Sequence, residues 1–264
     1  MKKLTVLLLT LLMLISVTAC GEQEKVDYHI ATRKLEYNTG DVNLTEYTYD
    51  DQWNILSTRT LLNGEEASSA EYTYSEDLSI VTMHITSKLY DNTTSEGRRT
   101  FDENGNVLTA ETYTDGKLTG ISSYTYDEKG REISVVNTAP DSENVTKMER
   151  SYDENGNLLT YTIDTGYYVS RQEYTYDKQN RRLSRHDYQN DDLVSYIEYA
   201  WEGNVQSGTV YDAQETVQRK VVLTYDKAGN LLVEEYYDIL DSLQSRTSYT
   251  YIGTDGSTSG TVKK

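Results

Sequence analysis

Aromatic residues recur along this chain every 24 to 27 residues, and this period constrains the fold more than any other feature. Each of these landmark residues ends a segment of alternating side chains, and a turn and a second, more aliphatic segment follow it. Repeats this short are typical of proteins in which each unit packs mainly against its neighbours. The nine landmarks are Tyr49, Tyr74, Phe101, Tyr126, Tyr152, Tyr176, Trp201, Tyr225 and Tyr251.

The commonest turn after a landmark reads Asp-x-x-Gly. An Asp side chain can accept hydrogen bonds from the backbone of its own turn, and Gly readily adopts the positive φ that such a turn requires. Asn180 replaces this glycine in one turn, as the next best residue for a left-handed conformation. Asp50–Trp53, Ser75–Leu78 and Trp201–Asn204 depart further, so we predict these turns to be the least regular. The complete turns contain Asp102 and Gly105, Asp127 and Gly130, Asp153 and Gly156, and Asp226 and Gly229.

Side chains before each landmark alternate with a period of two, which is typical of β-strands. Tyr126, for example, belongs to an aromatic face and Thr125 to a polar face. Seven residues after each landmark stands an aliphatic residue, such as Ile133, which we predict to lie on the aromatic side. The residue before it varies, and we predict that it faces water because Glu132 and Arg182 occupy this position. The polar face also carries Glu46, Glu71, Glu149, Glu173 and Glu198.

The pattern predicts an all-β fold, a repetitive antiparallel meander of β-hairpins with about seventeen or eighteen strands. A flat sheet of that size would be about 80 Å wide, and open twisted sheets seldom exceed about 10 strands without curling. Because only one face is apolar, we predict a single large sheet that curls on its aromatic face. The 25 tyrosines indicate a partly hydrated interior, since a buried Tyr hydroxyl needs a hydrogen-bond partner.

The first residues resemble an export signal. Two lysines are followed by the apolar segment Leu4–Val17, which is short for a transmembrane helix. The sequence then reads Val-Thr-Ala-Cys, which resembles the lipobox of bacterial lipoproteins, and Cys20 is the only cysteine. We predict that Cys20 is lipidated; a secreted protein with a chance cysteine at its cleavage site is the alternative.

Four segments are therefore expected. Residues 1–19 are the lipoprotein signal peptide, and residues 20–27 are the lipidated cysteine and a polar tether. Residues 28–252 form the repeat domain, and residues 253–264 form a flexible tail. The expected location is the cell membrane, with the protein held by its lipid on the extracytoplasmic side.

The charge of the chain excludes one class of partner. There are 43 acidic and 25 basic residues, for a formal net charge of −18. Nucleic-acid binding depends on Lys and Arg neutralising phosphate, so no nucleic-acid partner is expected. A basic surface that docks on anionic lipid is not expected either, so the predicted membrane contact is the lipid on Cys20.

The unit Tyr-Asp-x-x-Gly-x-x-Leu resembles the repeats of the Rhs/YD-repeat family. The segments Tyr126–Ile133 and Tyr225–Leu232 match best, and the resemblance covers about Tyr47–Tyr251. In large members of that family such repeats build a hollow β-shell that can enclose a toxin domain. The closer likeness is to small YD-repeat lipoproteins of bacteria. This resemblance implies an architecture and no particular activity.

No catalytic residue, metal site or cofactor is predicted. Asp102–Asn106 and Asp153–Asn157 look like the start of a calcium loop, but their Gly is fourth instead of sixth, and a hairpin turn explains every residue. The histidines, His29, His84 and His186, lack a Cys or carboxylate at ligand spacing.

Three functions remain open at this point. The first is a non-enzymatic scaffold or binding surface in the cell envelope, with a glycan or protein partner. The second is a glycan- or cell-wall-binding module that uses exposed Tyr and Trp. The third, an exported enzyme, is the least favoured because nothing distinguishes a catalytic pair among the many carboxylates.

Overall fold

We analysed a computed structural model of the chain, which describes residues 28–87, 93–254 and 256–259. The expected signal peptide, Cys20 and the tether lie outside the described residues. The described part of the chain consists of β-strands and turns, and it contains no helix long and apolar enough to cross a membrane.

Nineteen strands follow one another along the described chain. They are β1 (Tyr28–Tyr37), β2 (Val42–Tyr49), β3 (Ile55–Leu62), β4 (Glu65–Tyr74), β5 (Ile80–Ser87), β6 (Thr93–Phe101), β7 (Val107–Thr114), β8 (Lys117–Tyr126), β9 (Glu132–Ala139), β10 (Ser142–Tyr152), β11 (Leu158–Asp164), β12 (Val169–Tyr176), β13 (Arg182–Gln189), β14 (Asp192–Glu202), β15 (Val205–Asp212), β16 (Val217–Tyr225), β17 (Leu231–Tyr237), β18 (Leu243–Gly253) and β19 (Thr258–Ser259).

Strands β1 to β18 form one antiparallel meander in which each strand pairs with the next along the chain. The predicted hairpin meander is therefore confirmed. The sheet does not remain an open curl, however, because β18 also pairs with β1. The result is a closed sheet of eighteen strands, which removes the two free edges that an open sheet would expose.

The register at the closure explains how it forms. In six of the eight hairpins before the closure, the landmark pairs with the residue six positions later, as Tyr49 pairs with Ile55. At the closure, Tyr251 pairs with Ile30 of β1, and a register shift follows as it does inside the hairpins. Strand β1 thus occupies the place of the second strand of the ninth hairpin. Nine landmarks give nine hairpins only because the first strand completes the last one.

A β-bulge follows the landmark in seven of the nine hairpins, so that one residue of the second strand has no partner. The bulges follow Tyr49, Phe101, Tyr126, Tyr152, Tyr176, Tyr225 and Tyr251. The hairpins of Tyr74 and Trp201 have no such shift. Two of the three turns that we expected to be irregular therefore lack the bulge. The third is regular: Asp50 Oδ1 accepts hydrogen bonds from the backbone of Gln52 and Asn54, both at 2.8 Å.

Each bulge leaves a backbone carbonyl that the next landmark uses. The hydroxyl of Tyr126 donates to the Val107 carbonyl at 2.9 Å, and Trp201 Nε1 donates to the Arg182 carbonyl at 3.0 Å. The same bond joins Tyr49 to Ile30, Tyr74 to Ile55, Tyr152 to Glu132, Tyr176 to Leu158 and Tyr251 to Leu231.

The two hairpins without a bulge interrupt this series of hydrogen bonds from landmark side chains to backbone carbonyls. After the Tyr74 hairpin the next landmark is Phe101, which has no hydroxyl to donate. After the Trp201 hairpin, the Tyr225 hydroxyl bonds the side-chain oxygen of Gln206 at 3.1 Å. A landmark side chain therefore donates to a backbone carbonyl of the preceding hairpin only where that hairpin has a bulge.

The bulges also correct the predicted faces of the second strand. The extra residue shifts the alternation by one, so Glu132 and Arg182 pair with landmark tyrosines and lie on the aromatic face. Our prediction that this position faces water is wrong. The aliphatic residue seven positions after the landmark is the unpaired one, and at Leu56, Leu108, Leu159 and Leu183 between 37% and 44% of it is exposed.

The aromatic face is the inner wall of the closed sheet. Of the eleven side chains that are less than a tenth exposed, only Ser184 and Val233 lie on the other face. Thr125 on the outer face is exposed, whereas its neighbours Tyr124 and Tyr126 are half-buried. Within the described residues, the backbone of each strand lies close only to that of the strands beside it. Eighteen strands about 4.8 Å apart make a perimeter of about 86 Å, and closed sheets of this strand number are wide enough to enclose water. The interior is therefore a lumen, and the core is its lining.

The tail is more ordered than expected at its start. We predicted a flexible segment from Gly253 onward, but Gly253 belongs to β18 and its N–H donates to the Ser257 carbonyl at 2.8 Å. Residues 258–259 then pair with β18 as β19, and Ser259 Oγ donates to Asp226 Oδ2 at 2.5 Å. The chain turns back here because β1 already occupies the next place in the sheet.

Candidate functional site on the inner wall

The inner wall combines tyrosines with arginines. The arginines whose register places them on this wall are Arg33, Arg99, Arg150, Arg182, Arg185 and Arg219. The glutamates of the repeat, such as Glu71 and Glu198, lie on the outer face. The outer face thus carries the glutamates of the repeat, whereas the inner wall carries these arginines together with carboxylates such as Glu132 and Asp187.

Arg182 is held in place by its backbone. It is the first residue of β13, directly before the bulge, and its carbonyl accepts two hydrogen bonds. Trp201 Nε1 donates at 3.0 Å and Gln206 Nε2 at 3.2 Å. Gln206 is only 2% exposed and also accepts from the Tyr225 hydroxyl. This fixed network positions the Arg182 side chain against the inner wall.

The Arg182 guanidinium lies among tyrosines. Its central carbon is 4.8 Å from the ring centroid of Tyr174, a cation–π distance, and Tyr176 and Tyr199 are near enough to act on it electrostatically. Its Nε is buried and has no hydrogen-bond partner. Burial opposes the charge of Arg182, whereas the attraction of Tyr176 and Tyr199, which acts when these hydroxyls ionise at alkaline pH, raises the pKa of Arg182 above its ordinary value. The group is a permanent cation.

Other arginines of the inner wall have carboxylate partners. Arg150 forms a close ion pair with Glu132, and Arg185 lies 3.0 Å from Asp187. Among the described residues no carboxylate forms an ion pair with Arg182. The wall therefore carries a half-buried cation whose neighbours are neutral hydroxyls.

The tyrosines around this cation are themselves shielded from water. Burial raises the pKa of Tyr174 and of Tyr225 above the ordinary value, although the positive charge of Arg182 acts in the opposite direction. Both hydroxyls therefore stay protonated at neutral pH and can donate hydrogen bonds. Tyr174 already donates to Gln172 Oε1 at 2.6 Å.

The predicted turn residues lie together at one rim of the closed sheet. Each aspartate accepts from the backbone of its own turn, as Asp102 Oδ1 does from Asn104 and Asn106 at 2.9 and 2.8 Å. The glycines have positive φ, for example +83° at Gly105. The hydrogen bond from Asn106 lowers the pKa of Asp102, and the one from Arg131 lowers the pKa of Asp127.

Neighbouring turns are linked along the rim. Arg131 Nη1 donates to the Asp153 carbonyl at 3.1 Å, and Asn157 Nδ2 donates to Asn180 Oδ1 at 2.9 Å. The aspartate oxygens are thus used within the turns, and within the described part of the chain no cluster of His, Cys, Asp or Glu is arranged to hold a metal ion. Cys20 lies outside the described residues.

Sequence reasoning missed two features. One is Arg182, which we expected to face water. The sequence did carry a signal, because the position six residues after the landmark holds Glu or Arg in two units and an aliphatic residue in most of the others. The other is a row on the outer face in which His186, Tyr196 and Tyr211 stack across three strands. Their ring centroids are 5.5 and 4.8 Å apart, with interplanar angles of 11° and 13°.

The repeat, the closed hairpin meander and the Asp-Gly turns agree with a known family. The family model described as Teneurin YD-shell matches residues 31–239. The chain belongs to the Teneurin YD-shell family. The match covers most of the YD-shell described here, from β1 to the end of β17. No curated protein matches the sequence.

Solved structures are similar only at low identity. The structure titled TcdB2-TccC3-Cdc42 is 12% identical with a TM-score of 0.33, and TcdB2-TccC3 without its hypervariable C-terminal region is 11% identical with a TM-score of 0.28. Each covers 84% of this chain, which spans 17% of theirs. A porin-like protein from Bacteroides uniformis ATCC 8492 is 10% identical with a TM-score of 0.46, over 84% of this chain and 97% of that one. No functional argument rests on these three.

Proposed function

We propose that this YD-shell protein is a lipid-anchored component of the bacterial cell envelope, in which the closed sheet acts as a non-enzymatic scaffold or binding surface on the extracytoplasmic side. The lipid on Cys20 would hold it to the membrane, and a glycan or protein of the envelope would be its partner.

The placement of β1 between two other strands supports this proposal. Strand β1 begins at Tyr28, eight residues after Cys20, and is hydrogen-bonded to β18 on one edge and to β2 on the other. A load on the lipid would therefore reach a strand that is held on both edges, and many backbone hydrogen bonds would have to shear together before the closed sheet opened. Such a connection suits a protein that holds a partner at a membrane.

Metabolic labelling with palmitate tests the anchor. Full-length protein should incorporate the label in cells, and Cys20→Ser should abolish incorporation because the thiol is the acceptor. Glu22→Gln, in the adjacent tether, should label normally. Incorporation that persists in Cys20→Ser would refute the lipid anchor.

A glycan-binding function is the second candidate, because aromatic side chains lie on the outside. The row of His186, Tyr196 and Tyr211 suits it poorly, since each ring covers the face of the next and a sugar stacks on a ring face. Tyr167, which is 78% exposed in the turn after β11, offers a free ring. If this function is correct, Tyr167→Ala should weaken retention of the protein on purified cell wall and Tyr196→Ala should not. Equal retention of wild type and Tyr167→Ala would exclude this site.

A hydrolytic enzyme is less well supported. A catalytic carboxyl pair needs one member whose pKa is raised. Every carboxyl with a resolved shift in the described residues has its pKa lowered, as at Asp50, Asp153 and Asp226 in the turns. We therefore base no proposal on hydrolysis.

A further inference from the structure

We propose that Arg182 and the tyrosines around it form an oxyanion-binding site on the luminal wall of the shell. The ligand would be a phosphate or carboxylate group carried by a small molecule or by a longer chain. This inference rests on the geometry of the wall and does not depend on lipid anchoring.

The guanidinium of Arg182 has hydrogen-bond donors that the protein does not use. Arg182 can donate five hydrogen bonds in a fixed planar fork that matches the oxygens of a phosphate or carboxylate. Its Nε is buried without a partner, and its electrostatic neighbours are tyrosines. A buried cation is normally paired, because an uncompensated charge is costly away from water. An oxyanion in the lumen would supply the missing partner.

A neutral hydrogen-bond donor also lies near the guanidinium of Arg182. Tyr174 and Tyr176 already donate to Gln172 and to the Leu158 carbonyl. Tyr199 also acts on the guanidinium and makes no hydrogen bond among the described residues, so its protonated hydroxyl can donate to an anion without adding charge. Tyr174 lies under the guanidinium and limits its movement. The guanidinium fork and the Tyr199 hydroxyl favour an oxyanion over a spherical halide, because each oxygen can accept its own hydrogen bond.

Two other arginines of the inner wall lack the environment of Arg182. Arg150 faces the same lumen but is paired with Glu132, and only 7% of its side chain is exposed. Arg99 occupies the same repeat position as Arg150 but is exposed to water. Arg182 alone among these three is both half-buried and without a carboxylate, so its environment is the one that an anion would complete.

The acidic chain disfavours non-specific binding of anions. Non-specific anion binding is disfavoured on a chain of net charge −18, so a measurable affinity for an anion needs a defined local site. This property gives the experiment a low background.

Isothermal titration of the full-length protein with inorganic phosphate, at constant ionic strength in sodium chloride, tests the proposal. We expect saturable binding that Arg182→Gln weakens by about tenfold or more, the worth of a charged hydrogen bond. Arg99→Gln, which removes a solvated luminal arginine, should bind phosphate as wild type does. A parallel titration with acetate shows whether the site takes carboxylates as well as phosphates. Absence of saturable binding for both anions, or an equal loss in Arg99→Gln, would overturn the proposal.

A measurement on the unaltered protein covers the case in which Arg182→Gln does not fold. Phenylglyoxal modifies accessible arginines, and peptide mapping reports each site separately. Phosphate should slow modification of Arg182 and leave that of Arg99 unchanged. Equal rates at Arg182 with and without phosphate would contradict an oxyanion site there.

Discussion

The two halves of the closed sheet use the same repeat but are packed differently. Strands β12–β18, which we call the packed arc, contain nine of the eleven side chains that are less than a tenth exposed. Strands β1–β11, the open arc, contain only Ala70 and Val135. The backbone ladder, the bulges and the turns are alike in both arcs, so they do not account for the difference.

Between β6 and β8, the size of the inner side chains accounts for it. In the packed arc, Ile197 pairs with Val210, and Val221 lies beside Gly208, so branched side chains fill adjacent places on the wall. In the open arc, the corresponding places on β6 to β8 hold small residues: Ser95, Gly97, Ala110, Thr112, Gly120 and Ser122. The comparison teaches that the hydrogen-bond ladder closes the sheet, while the inner side chains decide where it has a core.

Alkaline pH should have the largest effect, because it acts on the seam that joins the two arcs. Burial raises the pKa of Tyr49 to about 12 and raises that of Tyr251 as well, and both residues flank β1. A raised folded-state pKa contributes stability that is present below the unfolded value near 10 and is lost as pH rises toward the folded value. Urea unfolding followed by circular dichroism should show a steep loss of stability above about pH 10. A midpoint that stays constant up to pH 12 would show that these hydroxyls are not buried.

Truncation of a tyrosine should distinguish the arcs next. Tyr174→Ala, in the packed arc, should cost roughly 3–5 kcal/mol of unfolding free energy as a large-to-small core change. Tyr126→Ala, at a half-buried place in the open arc, should cost less, and Thr125→Ala on the outer face should cost under about 1 kcal/mol. Urea denaturation measures all three. Equal costs at Tyr174 and Tyr126 would mean that the open arc is packed as tightly.

A matched pair of glycines tests the free space directly. A Cβ on Gly208 would lie 2.8 Å from atoms of Tyr199 and Val221, whereas one on Gly97 would meet nothing closer than 3.8 Å. Gly208→Ala should therefore cost about 1–3 kcal/mol through overpacking. Gly97→Ala should be neutral or slightly stabilising, since Gly in a strand carries an entropic cost. Thermal melting of the two variants decides the point, and a destabilised Gly97→Ala would contradict the open wall.

The smallest effect concerns the aromatic donor that follows each bulge. Tyr152→Phe leaves the Glu132 carbonyl without its 3.0 Å partner and should cost about 0.5–1.5 kcal/mol. The reverse change, Phe101→Tyr, should give no gain, because the preceding hairpin has no bulge to leave a carbonyl for the new hydroxyl. Stabilisation by Phe101→Tyr in urea titrations would show that bulge and donor are independent.

Much of this fold could be predicted from the sequence because its determinants are local. The period of the landmarks, the two-residue alternation and the Asp-Gly turns depend on a few neighbouring residues, and they gave the all-β meander, the aromatic face around Tyr126 and the turns at Asp153 and Asp226. Local rules failed at the bulges. One inserted residue reverses the alternation, so Glu132 and Arg182 face the lumen although their repeat position tolerates charge. The candidate oxyanion site was missed for this reason.

Tertiary structure alone decided that the sheet closes. Nothing near Tyr28 or Tyr251 in the sequence shows that Ile30 will pair with a residue more than two hundred positions away. Pairing them depends on the twist and coil accumulated over all the intervening strands, which bring the first strand to the free edge of the last hairpin. The sequence by itself therefore determined the repeating unit and which of its faces is aromatic. The closure of the sheet into a ring, and with it the lumen, was decided only when the first strand completed the last hairpin.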